Sequence, residues 1–221
     1  MHRGVLFDFS GTLFHLEPTD DWFAGLALDP ELVTDVLTSP ASSGYLPAEL
    51  TEDWERRDLD PDVHRRVYLS ALRAALPATP AAVLETVYER VPAPASWTPY
   101  PDALAVLRRL RAAGVPVAVV SNIPWDIRDV FRRNGMAELV DEFVLSVEEG
   151  VMKPDPAIFL AACRRIGVAP EDTLMIGDSE YADGGATQVG CGFAVVERIP
   201  PVRRPRALIS ALSEHRVLSE T

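Results

Sequence analysis

Lysine is almost missing from this chain: of the 21 basic residues in 221, all but Lys153 are arginine. A sequence that dispenses with lysine everywhere else either carries a coding bias with one survivor or needs a primary amine at that one place. Cysteine is scarce as well, with only Cys163 and Cys191. Two cysteines argue against a disulfide framework or a cysteine metal site and suit a reducing cytoplasm. No apolar run approaches the roughly 20 residues that cross a bilayer. The start, Met1 to Gly4, lacks the basic stretch, hydrophobic segment and cleavage site of an export signal, so a cytoplasmic location is expected. Positive charge is in deficit too. A net charge of −12 repels nucleic-acid backbone and anionic membrane unless a local basic patch overrides it.

Apolar residues, at 48%, are ample for one large domain or a core with a smaller insertion. Short apolar runs occur at 3–8, 115–120, 143–147, 173–176 and 192–196, as expected of strands buried on both faces. Helical patterns alternate with them at 101–113, 125–134 and 155–166, ending at Gly114, Asn134-Gly135 and Gly167. That alternation predicts an α/β domain with a doubly wound, Rossmann-like parallel sheet. Residues 29–38, 48–57, 61–76 and 80–91 break the alternation with helix-like stretches and several aromatics. They read as a helical cap over 15–97 inserted into a core of 1–14 and 98–221, with the final dozen residues expected to fray.

In a doubly wound sheet the functional groups sit beyond the carboxyl ends of the strands. Asp8, Ser121 and Asp178 all fall there. Asp8 precedes Phe9-Ser10-Gly11-Thr12, a turn whose backbone N–H groups can receive an anion beside a nucleophilic carboxylate; a plain turn-capping aspartate would look the same. Ser121-Asn122, ahead of a helix, can hold a phosphoryl oxygen or serve as an ordinary N-cap. Lys153, stiffened by Pro154 and Pro156, offers a point charge to tie nucleophile and phosphoryl group together. Asp178 and Asp183 bring hard oxygens suited to Mg²⁺, although acids at a helix start are also favoured by the dipole alone.

In order, D-x-x-G-T, S-N about 110 residues on, K-P about 30 further and G-D-S-x-x-x-D about 25 further resemble the four motifs of the haloacid-dehalogenase superfamily. The insertion lies where that family carries its smaller cap. The resemblance implies phosphoryl transfer from a small phosphorylated metabolite through an aspartyl-phosphate on Asp8. It implies Mg²⁺ held by Asp8, the Ser10 carbonyl and Asp178, with Asp183 in support. Phosphoryl oxygens would be bound by Phe9 and Ser10 N–H groups, Ser121, Asn122 and Lys153.

One position departs from the pattern. Most phosphatases of the family carry an acid–base aspartate two residues after the nucleophile, and here that residue is Ser10. Phosphonate-cleaving members lack it but use a cap lysine, and this cap has none. Dehalogenases have tyrosine there and lack the metal-binding aspartate that Asp178 would supply. Transport ATPases have threonine there together with membrane segments. A soluble phosphohydrolase or phosphotransferase remains the expectation, with a silent phosphate binder or, further off, a 2-haloacid dehalogenase as alternatives. His15 and His64 are candidates to replace the missing acid, and the Arg56-Arg57-Asp58 cluster, Arg57 above all, is a candidate to bind an anionic substrate from the cap.

Overall fold

In the computed structural model, residues 2–218 are described apart from 19, 24, 25, 27, 39, 41 and 42. Seven strands occur among them: β1 (Gly4–Phe7), β2 (Phe14–Leu16), β3 (Trp97–Pro99), β4 (Val117–Ser121), β5 (Glu142–Leu145), β6 (Thr173–Gly177) and β7 (Gly192–Val195). The five expected apolar runs form one parallel sheet in the order β5-β4-β1-β6-β7. Side chains alternate between its faces. Val5, Phe7, Val117, Val119, Leu174 and Ile176 enter one apolar cluster, and Leu6, Ala118, Val120 and Met175 enter the other. Two buried faces explain why these strands read as unbroken apolar runs. Each such leucine or valine contributes about 1.5–3 kcal/mol by leaving water.

The helices are α1 (Asp20–Phe23), α2 (Pro30–Thr38), α3 (Thr51–Arg56), α4 (Pro61–Ala75), α5 (Ala81–Glu89), α6 (Ala103–Ala112), α7 (Arg128–Arg133), α8 (Ser146–Glu149), α9 (Pro156–Ile166) and α10 (Ala207–Glu214). Leucines of α6 and α10 cover one face of the sheet, and Ile158, Phe159 and Ala162 of α9 cover the other. The fold is the expected Rossmann-like α/β arrangement. Helices α1 to α5 form the insertion, entered and left through an antiparallel ribbon in which His15 pairs with Thr98 and Leu16 with Trp97. The boundaries expected at 15 and 97 therefore fall inside a two-stranded element that the sequence reading did not contain. In the insertion, α4 starts cleanly: Pro61 follows Asp60, whose carboxylate accepts from the N–H groups of Asp62 and Val63.

Three expectations need correction. The run 143–147 ends as a strand at Leu145, because Ser146 begins a helical turn closed by Gly150 at φ 70°. The helix expected from 125 starts only at Arg128. The expected fraying fails for residues 210–214, which belong to α10; Ala211 and Leu212 are buried. Residues 219–221, like Met1, lie outside the described residues. No helix among the described residues is long and apolar enough to cross a membrane.

Candidate active site

Asp8 extends the β1 ladder by one bond, its N–H donating to Ile176 O at 2.9 Å, and then the chain turns. Gly11 makes that turn at φ 88°, and a Cβ there would lie 2.3 Å from the Asp178 carboxylate. Only glycine lets the first motif close on the fourth. Arg204 clamps the same loop from the far end of the chain, donating to Gly11 O at 2.6 Å and Thr12 O at 2.5 Å while stacking 3.5 Å over Tyr100.

Beyond the strand ends lies a cavity of about 260 Å³. Asp8, Asp178 and Asp183 present carboxylate oxygens within 4.8 Å of one another. The Lys153 ammonium sits among them, donating to Asp8 Oδ1 at 2.7 Å, Asp183 Oδ1 at 2.6 Å and Val120 O at 2.8 Å. Asp183 Oδ2 accepts from Ser179 N at 2.9 Å, so both its oxygens are engaged. Its carboxylate lies over Gly177, where a Cβ would come within 2.1 Å of it. Burial pushes the Asp8 carboxyl up to about 7, with Lys153 opposing and Asp183 and Asp178 adding. Burial works against the Lys153 charge, but Asp183 and Asp8 more than offset it and hold the ammonium above the usual lysine range. Three carboxylates against one ammonium leave the cluster short of positive charge, and hard oxygens in such a group fit Mg²⁺.

Ser121, at the end of β4, is 2% exposed and lines this cavity. Asn122 lines it too. Its side-chain amide is committed to the Lys153 backbone, Oδ1 accepting from Lys153 N at 2.7 Å and Nδ2 donating to Lys153 O at 2.8 Å. It fixes the lysine and leaves one Nδ2 hydrogen uncommitted in that pair of bonds. The Phe9 ring is wholly buried against Trp97, with centroids 4.7 Å apart, so any part it has in binding belongs to its backbone. Ser10 lines the cavity, its Oγ accepting from Arg198 at 3.4 Å.

The two histidines expected as substitute acids fail in different ways. His15 lies on β2 beside Tyr100 and lines a neighbouring cleft with Ile199 and Pro200, not the cavity around Asp8. His64 does line the cavity. However, it is stacked 4.0 Å from Tyr68, its Nδ1 is 2.7 Å from the Tyr88 hydroxyl, and burial and then Arg57 push it down to about 3. It is neutral near pH 7. Arg57 reaches the cavity wall, stacked 3.5 Å over Trp54 and 3.1 Å from Asp58. Sequence reasoning missed Arg198, whose guanidinium is 3.8 Å from Asp178. It follows β7, so the strand-end rule that singled out Asp8 would have found it. Asp58, expected only as a member of the Arg56-Arg57-Asp58 cluster, also lines the cavity.

A family model for haloacid dehalogenase-like hydrolases matches residues 2–188. The chain is 30% identical over 121 residues to (S)-2-haloacid dehalogenase 1 of Pseudomonas sp. (strain CBS-3), covering 54% of this chain and 52% of that one. It is 39% identical over 94 residues to glyceraldehyde 3-phosphate phosphatase of Methanopyrus kandleri, covering 42% and 40%. The chain thus spans about half the length or less of these curated relatives. Among solved structures, L-2-haloacid dehalogenase from Xanthobacter autotrophicus superposes with a TM-score of 0.69 at 25% identity, over 95% of this chain and 83% of that one. With its four motifs at the carboxyl edge of a β5-β4-β1-β6-β7 sheet, the chain belongs to the haloacid dehalogenase-like hydrolases.

Proposed function

We propose that this hydrolase is a Mg²⁺-dependent phosphohydrolase that cleaves small phosphorylated metabolites. The observation that carries this reading is the group of three carboxylates, Asp8, Asp178 and Asp183, around a single ammonium. A carboxylate that fixes Lys153, or that activates water against an ester, need be no more than Asp183; the additional hard oxygens of Asp178 are what a divalent cation requires. Asp8, the Ser10 carbonyl and Asp178 would hold the ion, with Asp183 behind them fixing Lys153. Bound there, Mg²⁺ would neutralise charge on the transferring oxygens.

Asp8 attacks phosphorus and the aspartyl-phosphate is then hydrolysed. Lys153 Nζ, the Ser121 hydroxyl and the N–H groups of Phe9 and Ser10 receive the phosphoryl oxygens. Asn122 keeps Lys153 in place. Positioning and charge stabilisation carry most of such a reaction. The rival reading, a metal-free dehalogenase, draws on the likeness to dehalogenases in sequence and fold. One experiment separates them: turnover of p-nitrophenyl phosphate with Mg²⁺ and with EDTA, beside turnover of a 2-haloacid in EDTA. Phosphatase activity that needs the metal and disappears in Asp8→Asn is expected. Haloacid turnover in EDTA with no phosphatase activity would reject the reading.

A further inference from the structure

Ser10 leaves the first motif without its proton-carrying group, yet the cavity has one more carboxyl than the metal cluster uses. Asp58, in the 3-10 turn 57–59 of the insertion, is 4% exposed and lines the same cavity as Asp8 and Lys153. Its place is set by the core. Its carbonyl accepts from the Ser146 hydroxyl at 2.6 Å, and that hydroxyl accepts from Ile123 N at 2.9 Å. Ile123 follows Ser121-Asn122, so one hydroxyl ties the Asp58 turn to the expected phosphate-binding loop. Arg57 Nη2 lies 3.1 Å from Asp58 Oδ2, while Oδ1 stands 3.9 Å from His64 Nε2, beyond hydrogen-bond reach.

We propose that Asp58 is the general acid–base of this enzyme, supplied by the inserted helices in place of the carboxyl absent at Ser10. The proposal rests on the phosphohydrolase reading above. As Asp8 bonds to phosphorus, the bond from phosphorus to the leaving oxygen breaks and its electron pair stays on that oxygen, which takes the Asp58 proton. Alcohol, aspartyl-phosphate and an Asp58 carboxylate result. Water then attacks phosphorus, gives its proton to Asp58, and the Asp8–phosphorus bond breaks to release phosphate.

The surroundings suit the role. The titratable and charged groups around Asp58 are Arg57 on its own turn, His64 and Tyr68 on α4, Tyr88 on α5, and Lys153 from the core. Burial pushes its carboxyl up to about 6, with Arg57 and Lys153 opposing. An acid that keeps its proton to that pH can donate it, and it adds no negative charge against the incoming phosphoryl group.

The test is a leaving-group series run with Mg²⁺, from p-nitrophenyl phosphate to alkyl phosphates, on wild type, Asp58→Asn, Asp58→Glu and the Asp58→Asn/Ser10→Asp double variant. Asp58→Asn is expected to slow alkyl phosphates about 10²–10⁴-fold and p-nitrophenyl phosphate less than about tenfold, since phenolate leaves without a proton. Ser10→Asp should restore alkyl turnover in that background, which a purely structural part for Asp58 would not allow. Asp58→Glu should keep part of it. In wild type the series should be shallow at about pH 5 and steep at about pH 8, as Asp58 loses its proton. This readout needs no variant to fold. Equal losses on all substrates, no rescue by Ser10→Asp, or a wild-type series equally steep at both pH values would overturn the assignment while leaving the phosphohydrolase reading intact. Failure of wild type to cleave even p-nitrophenyl phosphate would remove both.

Discussion

A lysine side chain only 2% exposed must be neutral or fully paired, and Lys153 takes the second course with two carboxylates and a carbonyl. Removing one partner of a buried ion cluster leaves uncompensated charge and costs about 3–5 kcal/mol. Lys153→Met should therefore lower unfolding free energy by about that amount in urea titrations without metal, as well as abolishing turnover. Lys153→Arg should also lose most activity, because a planar fork cannot reach three acceptors arranged around a single nitrogen. Wild-type stability and rate in both variants would make the lysine dispensable. This residue was legible in the sequence because it is the only one of its kind. The part played by Asn122 was not, since S-N at a strand end looks the same whether the amide faces a ligand or a neighbouring backbone. His64 shows the same limit: its helix position was readable, but the tyrosines and arginine that keep it neutral come from other turns.

At the scale of elements, the parallel strands were legible because both faces are buried, and their helices because apolar spacing and terminal glycines mark them. Local signals stop where partners are distant. The ribbon of β2 and β3 joins residues more than 80 positions apart in only three residue pairs, too short for a pattern. Helix α10 is a second case. Its first residues show no local cap, and the groups that need one, Leu208 N and Ile209 N, donate to Asp102 Oδ2 at 2.9 and 3.1 Å. A cap borrowed from the start of α6 cannot be read from neighbouring residues. Asp102→Ala should lower stability by about 0.5–2 kcal/mol, the range for a lost helix cap. The measurement is the urea midpoint at constant m-value. An unchanged midpoint would mean that water serves those N–H groups equally well.

At the scale of the whole molecule, distant stretches of the chain meet beyond the strand ends in a group with more negative than positive charge. Asp8 follows β1, Asp178 and Asp183 follow β6, and Lys153 comes from a third segment; folding brings oxygens of the three carboxylates within 4.8 Å with one ammonium among them. Burial raises the Asp178 carboxyl above its usual range, Arg198 opposes, and Asp183 adds to the rise. Without a cation, then, the folded state carries repulsion that the extended chain does not. A ligand that binds only the folded state adds about 2.7 kcal/mol at a hundred times its dissociation constant. For a chain of this size each kcal/mol shifts Tm by about 2–4 °C, so saturating Mg²⁺ should raise Tm by about 5–10 °C. Asp178→Asn removes one negative charge and one ligand together. In EDTA it should melt at or above wild type, and in Mg²⁺ below it, so the order of the two proteins should invert with the metal. The inversion reads ion binding by melting temperature alone, independent of any substrate. If Mg²⁺ leaves both curves where EDTA put them, no ion binds among these carboxylates, Asp8 and Asp183 serve to hold Lys153, and the metal-dependent reading falls.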